Sequence, residues 1–296
     1  MIGVVCLSPA IDVTYQVNNP VLGEVNRIDS IARRPGGKGL NVARILKQLG
    51  ANPVLYAPLG GTSGDWIRQE LDELEIQSVI TPIANTTRQA IAISSEQVTV
   101  FNEPATAVTD QELALLGESV GHFQVLVVSG SIPKSISPPA FTAFLRSLDS
   151  KCDQLVVDTS GEHLIAASQV ADYLKPNLEE LLAATGLTKD AALEQIRKHG
   201  AKVILSMAQD GVALYGTLTT TARAPMQIGN PTGAGDALVA GFSSVLATTG
   251  PELDSDSESA ALRFGCALSA ASVRSPIAGE FDNQDLSDLL TQIEVT

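Results

Sequence analysis

Residues 230–242 read NPTGAGDALVAGF and place a carboxylate directly after three small residues, at the start of a helical pattern. Gly233, Ala234 and Gly235 can offer successive backbone amides to an anion, and the helix dipole strengthens such a site. Asp236 is suited to accept a hydroxyl proton while those amides hold the charge of a transferring phosphoryl group. An acidic residue in the first turn also stabilises a helix without any catalysis. The segment alone leaves both interpretations open.

A second glycine-rich segment, residues 35–50, reads PGGKGLNVARILKQLG. Two glycines before Lys38 allow the backbone to approach a ligand closely, and a helical pattern follows. The segment is not a Walker A loop, because Gly39 stands where Ser or Thr would be needed. It also lacks the G-x-G-x-x-G spacing, since Val42 occupies the last glycine position. A tight glycine turn that caps a helix is the alternative interpretation.

Two kinds of apolar pattern alternate along the chain, and they predict the strands and helices that position these two segments. Short runs rich in Val, Ile and Leu do not alternate with polar residues, which is typical of parallel strands covered on both faces. These runs lie at residues 2–7, 125–128, 155–157 and 203–205. Helical spacing separates them, notably at residues 41–50 and 235–246. The alternation predicts an α/β layered fold with a mostly parallel sheet.

A small polar residue follows or closes each of these apolar runs. The four residues are Ser8, Ser129, Asp158 and Ser206. Because ligands bind at the carboxyl ends of the strands in open α/β sheets, the four together predict a ligand crevice at that edge. Any one of them alone is also typical of a turn or a cap.

Two further segments, residues 13–17 and 89–101, contain apolar residues that alternate with polar ones. A period of two predicts strands with one exposed face, which fit poorly inside a sheet covered on both sides. We therefore expect a small separate sheet that forms either a lid over the site or a dimer surface. Edge strands of the main sheet would show a similar pattern.

The composition excludes some classes of partner. The chain has 296 residues, with 19 Lys or Arg and 33 Asp or Glu, so its formal net charge is −14. Nucleic acid and anionic membrane surfaces are therefore not expected as main partners, because both are bound through an excess of basic residues. The three cysteines form no C-x-x-C pair, and neither a disulfide framework nor structural zinc is expected. Without a secretory leader pattern or a long apolar span, a reducing cytoplasmic setting is expected.

Taken together, the two glycine-rich segments resemble the two signatures of the ribokinase-like (PfkB) carbohydrate kinases, at the expected ends of the chain. The resemblance also includes Asp12, GEVNR at residues 23–27, KPNLEEL at residues 175–181 and Asp210-Gly211. It implies an α/β fold of the ribokinase-like type, a three-layer α/β/α sandwich with a mostly parallel central sheet and a small β-sheet lid. It further implies one kinase domain over residues 1–296, with the lid inserted from about residues 11–34 and 86–103.

The resemblance implies a role for each matching position in an ATP-dependent phosphoryl transfer. Asp236 would be the general base, and Gly233, Ala234 and Gly235 would form the anion hole. The acceptor would be bound by Asp12, Gly36, Gly37, Lys38, Asn41 and Ser129. The nucleotide would be bound by Lys175, Asn177, Ser206, Gly211 and Thr232. Asn177 and Glu180, spaced N-x-x-E, would help to organise Mg²⁺ through water, since Mg²⁺ keeps much of its hydration.

GEVNR, Arg88 and the pair Asn230-Pro231 are similar to the branch of the family that phosphorylates sugar phosphates, the 1-phosphofructokinases and tagatose-6-phosphate kinases. The expected acceptor is therefore a hexose phosphate, fructose 1-phosphate or tagatose 6-phosphate. A phosphorylated acceptor needs positive donors away from the attacked hydroxyl, and Lys38, Arg88 and Arg27 are the candidates. Arg27 and Arg88 could instead be ordinary surface charges.

Two positions depart from the family's pattern. Asn230 stands where many members have Asp, which weakens the expectation of a monovalent-cation site. Ala208 replaces a glycine that usually lies two residues after Ser206, and this puts the nucleotide contact there in doubt.

Two other functions stay open at this point. One is a kinase that acts on an uncharged sugar or a nucleoside, and the other is a non-catalytic sugar-phosphate-binding protein on the same fold. The intact Asp236 and the anion-hole glycines argue against the second. The expected partners are the small-molecule sugar phosphate, ATP and, through the lid, a second copy of the chain.

Overall fold

A computed structural model of the chain describes residues 1–96, 98–250 and 254–296. Its strands are β1 (Ile2–Val5), β2 (Ala10–Gln16), β3 (Ser30–Gly36), β4 (Val54–Leu59), β5 (Gln77–Pro82), β6 (Arg88–Ser94), β7 (Val98–Asn102), β8 (Phe123–Ser129), β9 (Cys152–Asp158), β10 (Tyr173–Leu174), β11 (Lys202–Ser206), β12 (Val212–Tyr215), β13 (Thr219–Arg223) and β14 (Glu294–Val295). Its helices are α1 (Lys38–Gln48), α2 (Gly61–Glu73), α3 (Asp110–Ser119), α4 (Pro138–Asp149), α5 (Glu162–Ala167), α6 (Leu178–Thr185), α7 (Lys189–Arg197), α8 (Ala234–Thr249), α9 (Ser255–Arg274) and α10 (Asn283–Leu290).

One large sheet runs through the molecule in the strand order β14-β13-β12-β11-β10-β9-β8-β1-β4-β5. From β11 to β5 in this order the neighbouring strands are parallel. Beyond β11, the strands β12, β13 and β14 continue the sheet in antiparallel pairs. The four apolar runs of the sequence are β1, β8, β9 and β11, which confirms the predicted mostly parallel sheet.

Helices cover both faces of this sheet and form the predicted three layers. On one face α1, α2, α8, α9 and α10 pack into an apolar core that includes Val4 and Val127. On the other face α3 to α7 pack into a second core that includes the neighbouring Val5 and Val128. Successive strand residues thus enter opposite cores, which explains why these strands are apolar at every position. None of the helices in the described ranges is long and apolar enough to cross a membrane.

Three helix starts determine where the functional segments lie. Helix α1 begins after Gly37 and α8 begins after Gly233, with φ angles of 103° and 87° that glycine adopts without a Cβ clash. Helix α6 begins after Asn177, whose side-chain oxygen accepts a hydrogen bond from the backbone N–H of Glu180. The two predicted helices are confirmed, although α1 starts three residues and α8 one residue earlier than the apolar spacing indicates.

A second sheet contains four strands in the order β3-β2-β6-β7. Strand β2 pairs antiparallel with β3 and parallel with β6, and β6 pairs antiparallel with β7. The small separate sheet is therefore confirmed, and the alternative that its strands form an edge of the main sheet is wrong. Val13 is buried, whereas all of β7 is exposed, including Val100 and Phe101. Gln97, inside the second predicted lid segment, lies outside the described residues.

Candidate active site

The carboxyl ends of the neighbouring parallel strands β8 and β9 bring polar residues together, as the sequence predicts for this edge. Ser129 and Asp158 are paired in register as the last residues of their strands. The Ser129 hydroxyl donates a hydrogen bond to Asp158 Oδ2 at 3.3 Å. Asp158 is fully buried, so its negative charge has to be balanced by neighbouring groups.

Two lysines supply that balance. Lys38 Nζ, from the first residue of α1, and Lys175 Nζ, which follows β10, each lie 3.4 Å from Asp158 Oδ1. Lys38 Nζ also lies 3.6 Å from Glu180 Oε1 on α6. The charge of Asp158, and to a smaller extent that of Glu180, holds the pKa of Lys38 above its ordinary value, so the ammonium stays charged. A buried carboxylate therefore connects the segment before α6 to the start of α1.

Asp236 lies in the first turn of α8 and is 5% exposed. Asn41 Nδ2, on α1, donates a hydrogen bond to its Oδ2 at 2.8 Å. Burial raises the pKa of Asp236 to about 7, and the nearby negative charge of Asp158 adds to the increase, while Asn41, Lys38 and Lys175 oppose it. A carboxylate that titrates near neutral pH can both accept and release a proton under physiological conditions.

The residues before Asp236 form the predicted small-residue turn at the start of α8. The backbone N–H groups of a first helical turn have no partner within the helix. Among the three candidate groups, the amide of Ala234 donates to the carbonyl of Pro231 at 3.2 Å. A Cβ on Gly235 would lie 3.2 Å from Lys175 Nζ, so the missing side chain lets the ammonium approach this turn. An anion at this helix start would meet backbone dipoles and one buried positive charge.

Several of the predicted acceptor residues lie where the small sheet meets α1. The carboxylate of Asp12, on β2, lies against Gly36, and Arg34 Nε is 4.0 Å from Asp12 Oδ2. Arg88, at the start of β6, donates to Ser8 through Nε at 3.1 Å and Nη2 at 3.4 Å. Burial raises the pKa of Asp12, and the positive charges of Arg34, Arg88 and Arg44 oppose that increase. Arg88 is therefore part of this cluster and not an isolated surface charge.

Two predicted residues lie on the exposed surface. Arg27 is exposed in the segment between β2 and β3, within a run of exposed residues at 18–33. Thr232 is also exposed, and its backbone N–H donates to Asn230 Oδ1 at 3.0 Å. Asn230 Nδ2 in turn donates to the carbonyl of Pro276 at 3.3 Å. The Asn230 side chain thus ties the loop before α8 to the chain that follows α9.

A cavity of about 440 Å³ opens beside the start of α8. Three predicted nucleotide residues, Asn177, Ser206 and Gly211, line it together with Gly235. The rest of its wall is largely apolar and comes from Val212, Ala224, Met226, Leu238, Cys266, Ala270 and Val273. Its size and its mixed lining are typical of a site for a small organic ligand.

Ala208, one of the two departures from the family's pattern, borders the same cavity. Its φ angle is 49°, in the left-handed region where a Cβ is strained. Glycine would adopt this conformation without strain, which gives a physical reason for the glycine expected there.

Asn177 and Glu180 form a capping box at the start of α6. The Asn177 side chain accepts from the backbone N–H of Glu180 at 2.6 Å, and Glu180 Oε2 accepts from the backbone N–H of Asn177 at 2.9 Å. Glu180 Oε1 lies outside the box and faces Lys38. Within the described residues, no group of three or more His, Cys, Asp or Glu side chains is arranged to hold a metal ion without other ligands.

Three residues of this site received no role from the sequence. Asp158 was recognisable only as the polar end of an apolar run, although it contacts both lysines. Arg34 carries no spacing signal for a site, because its contact with Asp12 depends on the folded chain. One partial signal exists, since Arg44 follows Asn41 by three residues on a predicted helix and such residues are neighbours.

Comparison with known proteins agrees with this architecture. The model of the family described as pfkB family carbohydrate kinase matches residues 1–285. A 1-phosphofructokinase of Vibrio cholerae serotype O1 is 32% identical over 308 aligned positions, which cover 99% of this chain and 95% of that protein. Phosphofructokinase-2 from Escherichia coli in complex with potassium superposes with a TM-score of 0.89 at 24% identity, covering 98% of each chain. Ribokinase from Giardia lamblia superposes with a TM-score of 0.79 at 20% identity, again over 98% of both chains.

Proposed function

The chain belongs to the pfkB family of carbohydrate kinases, and from this premise we propose that it transfers the γ-phosphoryl group of ATP to a hydroxyl of a hexose phosphate. Fructose 1-phosphate and tagatose 6-phosphate are the proposed acceptors. The observation that carries the proposal is the buried Asp236, bonded to Asn41 and placed in the first turn of α8. The similarity to a 1-phosphofructokinase supports a phosphorylated acceptor.

In the proposed reaction, Asp236 takes the proton of the attacking hydroxyl. Its pKa of about 7 matches this task, because a base works best when it titrates near the working pH. The amides of Gly233, Ala234 and Gly235 at the start of α8 stabilise the charge that develops on the transferring group. To do so, the N–H of Ala234 must turn from the carbonyl of Pro231 toward the anion. Lys175, 4% exposed at its side chain, adds a positive charge beside Gly235.

The acceptor lies between β2, the start of α1 and the end of β8. Asp12, Asn41 and Ser129 bind its hydroxyls, and the Gly36–Gly37 turn lets the backbone approach it. Arg88 and Lys38, with Arg27 as a further candidate, supply the positive charge for the phosphate already present on the acceptor. The contact of Arg88 with Ser8 and its electrostatic influence on Asp12 support this assignment.

ATP occupies the cavity beside α8, with its base against the apolar wall and its phosphates toward Gly235. Lys175, Asn177, Ser206, Gly211 and Thr232 are the proposed nucleotide residues, and four of the five line the cavity or contact a residue that does. The donor set fits a hydrated Mg²⁺, because Glu180 Oε1 is an oxygen atom outside the capping box, and Asn177 orients that side chain. When bound, Mg²⁺ neutralises charge on the phosphates of the nucleotide.

A monovalent cation has weaker support. Asn230 contributes an amide and no negative charge, and that amide is already hydrogen-bonded to the carbonyl of Pro276. The Escherichia coli protein that was crystallised with potassium is similar in fold. We therefore propose ATP and Mg²⁺ as the required small molecules and assign no residue to a monovalent cation.

The whole chain, residues 1–296, acts as one kinase domain in this proposal, with residues 11–34 and 86–103 forming the lid. The exposed apolar side chains Val98, Val100 and Phe101 on β7, each more than half exposed, support a homodimer formed through the lid. Isolated exposed apolar residues are ordinary, whereas three on one short edge strand favour burial against a partner.

A substrate panel tests the proposed function. ADP release, measured by a coupled assay, is compared for fructose 1-phosphate, tagatose 6-phosphate, free ribose, free fructose and a nucleoside. The proposal expects the highest kcat/KM with a hexose phosphate. Higher turnover with a free sugar or a nucleoside would assign the enzyme to another branch of the family. Binding of sugar phosphates without any ADP release would identify a non-catalytic binding protein.

A further inference from the structure

Arg44, on α1, contacts Asn41, which in turn donates a hydrogen bond to Asp236. Its Nη1 donates to Asn41 Oδ1 at 3.3 Å, one turn earlier on the same helix. Its Nη2 donates to the carbonyl of Pro35 at 2.6 Å, just before the turn that starts α1. The guanidinium is thus fixed at two points, and one of them is the side-chain amide of Asn41.

We propose that Arg44 is a positioning residue for Asp236: it holds the Asn41 amide in the orientation in which Nδ2, and not Oδ1, faces the carboxylate. This inference rests on the proposed function, in which Asp236 is the general base. It assigns to Arg44 a role in the reaction without any contact with substrate.

When Asp236 is ionised, hydrogen-bond chemistry favours one orientation of the Asn41 amide. A guanidinium can only donate, and an ionised carboxylate can only accept. With Oδ1 toward Arg44 and Nδ2 toward Asp236, both contacts of Asn41 are favourable. After a half-turn of the amide, a donor would face the donors of Arg44, and an oxygen would face the oxygens of Asp236. Arg44 therefore determines that the Nδ2 end of the Asn41 side chain faces Asp236.

The surrounding backbone leaves little room for another arrangement. A Cβ on Gly279, whose φ angle is 77°, would lie 2.9 Å from Asn41 Oδ1 and 3.1 Å from Arg44 Nη1. A Cβ on Gly233 would lie 2.9 Å from the nitrogen of Gly279. The segment around Gly279 thus packs both on the Arg44–Asn41 contact and on the start of α8.

Charged groups surround both Asp236 and Arg44, the two residues that Asn41 connects. Asp236 is influenced by the negative charge of Asp158 and by the positive charges of Lys38 and Lys175. Arg44 is influenced by Arg34, which has the same charge, and by the carboxylates of Asp12 and Glu280. The hydrogen bond from Asn41 opposes the effect of burial on the pKa of Asp236. Loss of the correct amide orientation should therefore raise that pKa further.

The test is the pH dependence of kcat/KM between pH 5 and 9 for wild type, Arg44→Met and Arg44→Lys. In Arg44→Met we expect the acid limb to move up by about 0.5–1 pH unit, the equivalent of one hydrogen bond. At pH 6 this is a loss of about three- to tenfold, which shrinks toward pH 9. Lysine cannot donate to Asn41 and Pro35 in the same planar geometry, so Arg44→Lys should show a smaller shift in the same direction.

Two further variants separate positioning from a structural effect. In an Asn41→Leu background, Arg44→Met should produce no additional shift of the acid limb, because the amide through which Arg44 acts is gone. Arg146→Met, which removes an exposed arginine from α4, should leave the limb where it is in wild type. A purely structural role of Arg44 would lower kcat/KM by the same factor at every pH.

A second readout does not depend on turnover. The titration of the Asp236 carboxyl carbon is followed by NMR, and its signal is assigned by comparison with the Asp236→Asn spectrum. The pH at the midpoint of this titration should be higher in both Arg44 variants than in wild type. Unchanged titration and an unchanged acid limb in a folded Arg44 variant would overturn the inference, even if Asp236→Asn is inactive. Near-normal turnover of Asp236→Asn would instead reject Asp236 as the base, whereas the proposed function itself fails only if no hexose phosphate is phosphorylated in the substrate panel. Should Arg44→Met fail to fold, Arg44→Lys decides by both readouts.

Discussion

The carboxylate of Asp12 occupies the space in which a side chain at Gly36 would begin, since a Cβ on Gly36 would lie 2.1–2.2 Å from the carboxyl atoms. In Gly36→Ala the Asp12 side chain must move, which is possible because the carboxylate is the free end of a side chain. We expect the KM of the acceptor to rise about tenfold, the equivalent of one lost hydrogen bond to a charged group, with little change in Tm. The measurement is steady-state kinetics together with thermal unfolding.

Gly121→Ala is the matched control for this substitution. The new Cβ would lie 3.5 Å from the hydroxyl of Tyr56, an ordinary contact. Gly121→Ala should leave the KM for the acceptor and the KM for ATP unchanged. An unchanged acceptor KM in Gly36→Ala would show that Asp12 does not bind the acceptor.

Replacement of Asp236 tests its proposed role as the general base directly. Asp236→Asn keeps the size and a polar end of the side chain but cannot take the hydroxyl proton. We expect kcat to fall by about 10²–10⁴ while the acceptor still binds. Turnover and acceptor binding are measured separately, and Asp65→Asn, on the exposed surface of α2, serves as the control. Turnover within a few-fold of wild type would assign the proton transfer to another group.

The same substitution should also change how stability depends on pH. The pKa of Asp236 is about 7 in the folded protein against an ordinary value of 3.8, so between these values the folded chain keeps a proton that the unfolded chain has released. The contribution of Asp236 to stability is therefore full below pH 4 and is lost as the pH rises to 7. Asn has no proton to lose. At pH 8 we expect Asp236→Asn to have a Tm higher than wild type by about 2 °C or more, with a smaller difference at pH 5.

Thermal unfolding at a series of pH values measures this difference. Asp65→Asn should show no pH-dependent gap of this kind, because its carboxylate is exposed. If the difference in Tm between Asp236→Asn and wild type is equal at pH 5 and pH 8, Asp236 is already ionised throughout this range.

Arg88 should distinguish phosphorylated from free sugars. Its guanidinium lies beside Ser8 and close to Asp12, where it can meet a phosphate on the acceptor. In Arg88→Met we expect KM for a hexose phosphate to rise at least about tenfold, with little effect on a free sugar. Arg146→Met is the control for the loss of one positive charge. An equal loss with both kinds of acceptor would indicate a structural role for Arg88.

The lid is expected to hold two copies of the chain together. Phe101, on β7, is 53% exposed, and Leu115, on α3, is 49% exposed. Introducing a charge at a buried interface is strongly unfavourable, so Phe101→Glu should convert the proposed dimer to a monomer in sedimentation velocity. Leu115→Glu, of similar exposure but outside the lid, should leave the dimer intact. A Phe101→Glu variant that stays dimeric would require an interface elsewhere on the chain.

Part of the fold was accessible from the sequence because it depends on local periodicity: the strands β1, β8, β9 and β11, the helices α1 and α8, and the small sheet. The antiparallel extension of the main sheet by β12, β13 and β14 was not predicted. Apolar runs without alternation become strands with a core on each face. Residues 13–17 alternate because one face of β2 is buried and the other is more exposed. The glycine-rich turns were recognisable for the same reason, since positive φ angles at Gly37 and Gly233 require glycine locally.

The relations between the site residues were decided by the tertiary structure. Asn41 and Asp236 are 195 residues apart in the chain, yet Asn41 Nδ2 lies 2.8 Å from Asp236 Oδ2. The pKa of Asp236 depends on burial and on Asp158, Lys38 and Lys175, which come from three other segments. Spacing along the chain carries no information on such distances, and a charge influences its neighbours according to distance and burial. The sequence therefore determined which residue types were available for the chemistry, and the packing of α1 against α8 at the ends of β8 and β9 decided how they act together.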